Sequence, residues 1–592
     1  MTTPRDEYER RLTDRRERIA ALDRINRLIS NLRLMLAAVV AVLLWMAFVR
    51  ATVSPAWPIG GGLAFGILAI VHAKQLNRFE RAQSAERVYL RGLDRLDDRW
   101  AGTGRDGAAF LGDHPYARDL DLFGPASLFE RLNTTRTEAG ETTLAGWLSA
   151  PAAADEVRAR QRAVDELRGM LDFREDVAVL ASESPVGRTG LLAAWALGPA
   201  VRFPAALPML LGAFALVTLA LAAAAYENLI LPDVVVLWVA AQAGIAAIWR
   251  RKIHHVLHAV DMPDRDLGLV SELLARIESQ QFSSPRLVAL HEALLTNGVP
   301  PSKRIVALRS LVSWLDSTHN LLFAPIAFVL LLRPQVAIAI ARWHAAYGHA
   351  IDDWLRAVGE IEAFTALATY AYERPDDPFP ELIDGPLFDA EQLAHPLLPE
   401  ASAVRNDIRL GGDAAQIVVL SGSNMSGKST FLRTIGVSVV LALAGAPAPA
   451  RRLRLSPLVI GATLHVEDSL QAGRSRFYAE ILRIRAIVET ARGPVPLLFL
   501  LDEILHGTNS YDRRIGAEAI VRALAALGAI GVVTTHDLAL TELTATLGVP
   551  AENRHFEDRL IDGRMTFDYR LRPGVVEHSN ALALMRAVGL DV

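Results

Sequence analysis

The chain has 592 residues, enough for several domains. It is 51% apolar with positive mean hydropathy, yet 22% of it is Asp, Glu, Lys or Arg, which excludes both an ordinary soluble enzyme and a carrier embedded mostly in the membrane. The net charge of −4 gives no global basic signature for nucleic acid, and the absence of cysteine excludes disulfides, thiol catalysis and thiolate-bound metal.

Residues 1–33 carry mixed charge throughout, without the basic-then-apolar order of a signal peptide. Acids interleave with the arginines, so this stretch reads as a solvated charged helix leading to a membrane rather than a basic arm for anionic lipid or nucleic acid. Leu34–Val49 and Ala56–Ala73 follow as apolar runs of nearly spanning length around a short linker, predicting a transmembrane hairpin over 34–73. A second hairpin is predicted over 203–249, from Phe203–Ala225 and Leu229–Trp249. Lys74, Arg78, Arg81, Arg202, Arg250, Arg251 and Lys252 flank the hairpins, whereas the tight turns hold only Arg50, Glu227 and Asp233. Positive charge stays inside, so a multi-pass protein of the cytoplasmic membrane is expected, with its N-terminus and long segments cytoplasmic. Buried core helices are the alternative, but paired apolar runs with basic outer flanks are uncommon in soluble cores. Leu321–Leu332 is too short to span and reads as core. Residues 74–200 and 250–385 read as two parts of a helical core, and 386–592 as an α/β domain with a mostly parallel sheet.

Within 386–592, the apolar run QIVVL leads into SGSNMSGKST (421–430) and then a helical stretch. Gly422, Ser423, Asn424, Met425, Ser426, Gly427, Lys428 and Ser429 fit G-x-x-x-x-G-K-[ST], the loop that cradles nucleotide phosphates with backbone N–H groups and a helix N-terminus. Lys428 is expected at the β- and γ-phosphates of ATP, Ser429 on Mg²⁺, and Thr430 at the helix cap or a phosphate. Downstream, an apolar strand ends in Asp502, placed to hold the metal, and Glu503, placed to polarise the attacking water. A further strand, Ile530–Thr535, ends at His536, a candidate sensor of the γ-phosphate.

The Asn-Met pair in SGSNMSGKST is absent from most P-loop proteins and resembles the loop of the MutS family. LLDEILHGTNSYD (500–512), TTHD (534–537), DSLQAGRSRFYAE (468–480) and the upstream SLFERLNTTRTEAGETTLAGWLSAP (127–151) resemble that family's motifs too. The resemblance implies a homodimer through the ATPase domains, with Gly473, Arg474 and Ser475 acting in trans, Ser475 at the γ-phosphate, and His555 against adenine. It also exposes departures. Ser423 and Ser426 replace the family's Pro and Gly. No mismatch-reading or connector domain is legible in the first 112 residues, and only Val404 and Arg405 stand where the family often offers an aromatic for adenine.

The expected protein is thus a membrane-anchored MutS-like ATPase whose composite dimer sites drive movement in a helical core. Membrane lipid and an unknown protein are its expected partners, with DNA, as in mismatch repair, inherited only from the resemblance. The alternatives are half of an ABC-type transporter, against which SLQAGRS in place of L-S-G-G-Q counts, or a nucleotide-dependent membrane scaffold without DNA.

Overall fold

The computed structural model describes residues 3–181, 189–259, 264–294, 298–318, 320, 323–423, 425–464, 476–505, 510–561 and 564–576. The first helix, Pro4–Phe48, opens with a capping box in which Thr3 accepts from the Asp6 N–H, and Pro4 takes the first turn, where its missing donor costs nothing. It runs unbroken through the polarity change at residue 33 and pairs with a second long helix, Ala56–Leu96. The far halves of this pair turn apolar side chains outward, among them Leu34, Met35, Val39, Ile59, Leu63 and Ile67. Gly61 lets the two arms close up, since a Cβ there would stand 2.8 Å from Val40 Cγ2. The near half of the first helix is solvated on most of its surface, as expected over 1–33, but one face docks on the core. Tyr8 and Leu12 are buried against Tyr89, with Leu93, Leu171 and Tyr372 packed around them.

A second apolar pair comprises Leu207–Tyr226 and Pro232–Ile248. Among the described residues three helices are long and apolar enough to cross a membrane, or four if Pro232–Ile248 and the segment after it, bent by 69°, are taken together. Inside this pair the Trp238 indole N–H donates to Thr218, the Thr218 hydroxyl donates to the Gln242 carbonyl oxygen, and the Gln242 amide donates to the Val329 carbonyl at 2.8 Å. The reading of Leu321–Leu332 as core holds in part, since Ala327 and Leu331 are buried, Leu331 against Leu207, Leu211 and Ile338. The segment's described part forms a short helix, Ala324–Val329, docked beside the apolar pair with Ile326 52% and Phe328 60% exposed.

The helical core surrounds Ile351–Glu373, a helix buried on nearly every face by Glu138–Ser149, Ala154–Arg168, Asp264–Glu278 and Pro285–Leu294. The second long helix is fastened to its end by Arg95, whose guanidinium meets the buried Glu373 carboxylate at 2.6 Å.

The C-terminal part contains two sheets. Strands β1 (Glu381–Leu382), β2 (Leu387–Leu393), β3 (Asn406–Gly411) and β5 (Arg452–Leu455) form one, in the order β1-β5-β2-β3. Strands β4 (Ile417–Ser421), β6 (Val459–Thr463), β7 (Leu497–Leu501), β8 (Ile530–Thr535), β9 (Ala551–Ile561) and β10 (Arg564–Pro573) form the other, in the order β10-β9-β4-β8-β7-β6. Strands β6, β7, β8, β4 and β9 are parallel, and β10 returns antiparallel on β9. Strands β4, β7 and β8 are buried along their whole length, as expected of parallel strands covered on both faces. The helix after β4, Lys428–Ala444, is buried against both sheet and helical core, with Gly436 pressed onto Leu120 and Leu500. Helical core and sheet therefore share one apolar interior.

Candidate functional site

The carboxyl ends of β4, β7 and β8 lie side by side, because each pair is in parallel register. Whatever follows these strands converges on one crevice, the usual ligand position of an open parallel sheet. The loop after β4 turns tightly into Lys428–Ala444. Gly427 sits at φ +98°, and Gly422 has no room for a Cβ, which would stand 2.8 Å from Ser426 Oγ. Lys428 is 4% exposed, and its Nζ donates to the Gly422 and Ser423 carbonyls, each at 2.8 Å. Burial lowers its pKa, opposed by the Glu503 and Asp502 carboxylates, and Glu503 Oε1 is 3.8 Å from Nζ.

The two acids emerge from β7 and are held by one hydroxyl. Thr534, at the end of β8, donates to Asp502 and accepts from the Glu503 N–H at 3.0 Å. Glu503 and Leu505 adopt positive φ, 45° and 58°, uncommon for side chains of this size. The buried Glu480 carboxylate accepts from the Leu505 N–H at 2.6 Å, which braces the turn. His536 Nδ1 lies 3.6 Å from Glu503 Oε1.

These groups bound a cavity of about 740 Å³. Lys428, Ser429 and Thr430 line it with Asp502 and Glu503, while Leu398, Val404, Phe556 and Tyr569 supply apolar and aromatic surface. Its size suits a nucleotide. The donor set fits one as well: Thr463 on the wall, and Ser423 and Ser426 in the loop behind it, have buried hydroxyls with no hydrogen-bond partner among the described residues. Ser429 and Asp502 are one hydroxyl and one carboxylate, the kind of sparse protein ligation Mg²⁺ takes when phosphates complete its shell. Among the described residues no cluster of three or more His, Asp or Glu could hold a metal alone.

The structure therefore brings together Lys428, Ser429, Thr430, Asp502 and Glu503, with Met425 and Gly427 also on the wall. Asn424 and Ser475, like Gly473 and Arg474, lie outside the described residues. His555 is not brought to the cavity wall. It pairs with Arg572 across β9 and β10, and its Nδ1 is 3.1 Å from the Gly574 carbonyl oxygen. Its neighbour Phe556 faces the cavity instead, edge-on to Phe431.

Sequence reasoning missed Tyr569. A bulge between Phe567 and Leu571 in β10 puts it at φ 52°, and its ring lies over the loop, 2.9 Å from where a Gly427 Cβ would be. Asn406 clamps that bulge, donating to the Tyr569 carbonyl at 2.9 Å and accepting from the Leu571 N–H at 2.8 Å. Tyr569 supplies the aromatic surface not found near Val404, from a strand more than 160 residues further on. His395, which lines the cavity, is held neutral by burial, its pKa pushed down to about 4.

Behind the site, Asp119 is fully buried and fastens three elements at once. Its carboxylate accepts from the Leu464 N–H at 3.0 Å and meets Arg483 at 2.7 Å, and its carbonyl accepts from Arg433 at 3.0 Å.

Residues 418–591 match the family model described as MutS domain V. The chain is 29% identical over 255 residues to the DNA mismatch repair protein MutS of Brevibacillus brevis, a match covering 42% of this chain and 29% of that protein. It is 31% identical over 247 residues to the protein of that name from Roseiflexus sp., covering 40% and 22%. With that of Natronomonas pharaonis it is 33% identical over 269 residues, covering 44% and 29%. The chain thus spans less than a third of the length of these relatives. Loop, acidic strand end and matched residues coincide in one domain, and through that domain the chain belongs to the MutS family.

Proposed function

We propose that this chain is a membrane-anchored MutS-like P-loop ATPase. The observation that carries the reading is the convergence of a buried loop lysine, a helix N-terminus and two strand-end carboxylates on a nucleotide-sized cavity. In this reading Lys428 swings from the Gly422 and Ser423 carbonyls onto β- and γ-phosphate oxygens, a charge-assisted exchange. The Ser423 and Ser426 hydroxyls gain acceptors they otherwise lack. Tyr569 and Val404 flank the base. Ser429 and Asp502 hold Mg²⁺, which neutralises charge developing on the phosphates. Glu503, fixed by Thr534, orients and deprotonates the attacking water, and His536 beside it senses the γ-phosphate.

The two apolar helix pairs anchor the chain as hairpins. Their outward apolar faces and basic flanks support a multi-pass topology with the nucleotide domain in the cytoplasm. Ala324–Val329 fits a re-entrant element beside the second hairpin, its Val329 carbonyl capped by Gln242 where water is absent. A homodimer with Ser475 acting in trans gives ATP a closed state to favour. DNA enters only as the substrate named for the relatives, whose match is confined to the C-terminal part.

The test is ATP hydrolysis by the full chain in nanodiscs, without DNA, with matched duplex and with mismatched duplex, over a salt series. Hydrolysis abolished by Glu503→Gln and indifferent to DNA supports a membrane engine. Stimulation by mismatch above matched duplex assigns it to repair. A rate unaffected by Glu503→Gln refutes the ATPase reading.

A further inference from the structure

A second, smaller cavity, of about 50 Å³, lies where the two long N-terminal helices meet the helical core. At roughly 10–15 Å³ per water it holds three to five oxygen-sized atoms. Its charged lining is Arg91, Arg95, Arg136, Arg174, Glu175 and Glu362. Two of these charges are neutralised nearby: Arg95 by Glu373, and Glu175 by Arg15, with Tyr89 donating to the same carboxylate. Glu362 is spent on the Arg136 and Thr137 N–H groups and the Thr137 hydroxyl. Arg91, Arg136 and Arg174 then remain with no carboxylate partner among the described residues.

Arg174 is 6% exposed, donates to the Thr369 hydroxyl and the Arg168 carbonyl, lies over the Tyr372 ring with its guanidinium carbon 5.0 Å from the centroid, and leaves its Nε buried without a partner. Arg136 Nε is buried without a partner too. Guanidinium groups out of water are costly unless paired, and two residues that line one void each keep a buried orphan N–H. Burial and the neighbouring arginines push Arg136 down to about 10, with Glu362 opposing them.

We propose that this cavity binds a small tetrahedral oxyanion, inorganic phosphate or the terminal phosphate of a soluble monoester, held by Arg91, Arg136 and Arg174. The planar fork of arginine suits such an oxyanion, and Thr134 and Thr369 add hydroxyls at the same wall. A lipid headgroup is the wrong source. Arg91 lies 17 residues beyond Lys74, where the first hairpin's apolar run ends. At 1.5 Å per residue that is about 25 Å along the helix, out of headgroup reach. The ligand would bridge Tyr89 and Arg91 on the hairpin's stalk to the Arg136 turn and the central helix. It would thereby stiffen the joint through which any movement of the core reaches the membrane. This assignment does not rest on the ATPase reading.

The test is equilibrium dialysis of radiolabelled inorganic phosphate against the full chain in nanodiscs of zwitterionic lipid. The chain is studied as such and with Lys428→Ala, which removes phosphate held at the nucleotide loop. Binding that survives Lys428→Ala, weakens tenfold or more in Arg136→Gln, and weakens in Arg91→Gln establishes the site. Arg91 is exposed at the rim, so Arg91→Gln keeps the test valid should Arg136→Gln not fold. Binding wholly lost with Lys428→Ala, or unchanged in Arg91→Gln and Arg136→Gln, overturns the proposal. Binding that appears only with phosphatidic acid in the nanodisc overturns the soluble ligand.

Discussion

Tyr569→Ala tests the cavity assignment at the residue the sequence hid. Stacking on an aromatic side chain contributes about 1–3 kcal/mol per base, judged by alanine substitution. Tyr569 is 43% exposed and presents only part of its ring to the cavity, so the lower half of that range applies. At tenfold per 1.4 kcal/mol, ATP should bind about five- to twenty-five-fold more weakly. The assay is titration of a fluorescent ATP analogue against the full chain in nanodiscs, with Mg²⁺ and the Glu503→Gln substitution present to stop turnover. Tyr569→Phe keeps the ring and should stay within about twofold of the parent. Asn406→Ala, which releases the bulge without touching the ring, should fall between them. An alanine variant as tight as the parent, or a phenylalanine variant as weak as alanine, would refute stacking.

Glu503→Gln should abolish hydrolysis while ATP binding persists, measured by phosphate release beside the same titration. Gly427→Ala forces a Cβ into φ +98°, a strain of about 1–2 kcal/mol, and against Tyr569 at 2.9 Å, so ATP affinity should drop at least tenfold. His395 is neutral in the fold, with its pKa lowered by burial to about 4 against about 6.5 unfolded. The unfolded chain therefore binds the extra proton between those values, and stability should fall by up to about 3 kcal/mol as pH drops from 6.5 to 4. Urea unfolding across that window should show the slope in the parent and a shallower one in His395→Gln. Asp119→Ala leaves Arg483 facing a buried gap. Arg483 keeps 26% of its side chain exposed, so the loss should sit near 3 kcal/mol, the low end for a broken buried pair, read from urea unfolding.

What the sequence disclosed was contiguous. The phosphate loop is one strand–turn–helix segment, so its spacing alone locates Lys428 and Ser429, and Asp502 and Glu503 stand at the end of a single apolar run. What it concealed was assembled from afar. Thr534, Glu480 and Tyr569 reach the site through strand order and a bulge, neither of which leaves a periodic trace. Polarity misled in two places. The change at residue 33 looks like a boundary, but backbone hydrogen bonding is indifferent to it and the helix continues to Phe48. Leu321–Leu332 is core only in part: Ala327 and Leu331 are buried while Ile326 and Phe328 face outward, a split that composition does not disclose.

The fold also constrains how a change at the nucleotide could travel. Asp119 grips Leu464, at the end of β6, together with Arg433 on the loop's own helix and Arg483 on the helix Arg476–Ala491. A displacement of any of these elements pulls on the segment around residues 115–121, because Arg483 also holds the Pro115 carbonyl and Arg433 reaches Asp121. That segment is joined through residues 97–114 to the second long helix, whose end is pinned by Arg95 to Glu373 on the central helix. The stalk is thus tied to the helical core along its near half, by Arg95 to Glu373, Tyr89 to Glu175 and Arg81 to Glu272, and through residues 97–114 to the segment gripped at the nucleotide crevice. A rod gripped along one half converts relative motion of its grips into tilt of the other half. Over the roughly 25 residues from Arg81 back to Ala56, about 38 Å at 1.5 Å per residue, a small angular change becomes a shift of a few ångströms at the hairpin's far end. Coupling through this lever needs both ends of the joint to hold, which is why loosening Asp119 should separate hydrolysis from any effect at the membrane even where Lys428 and Glu503 are untouched.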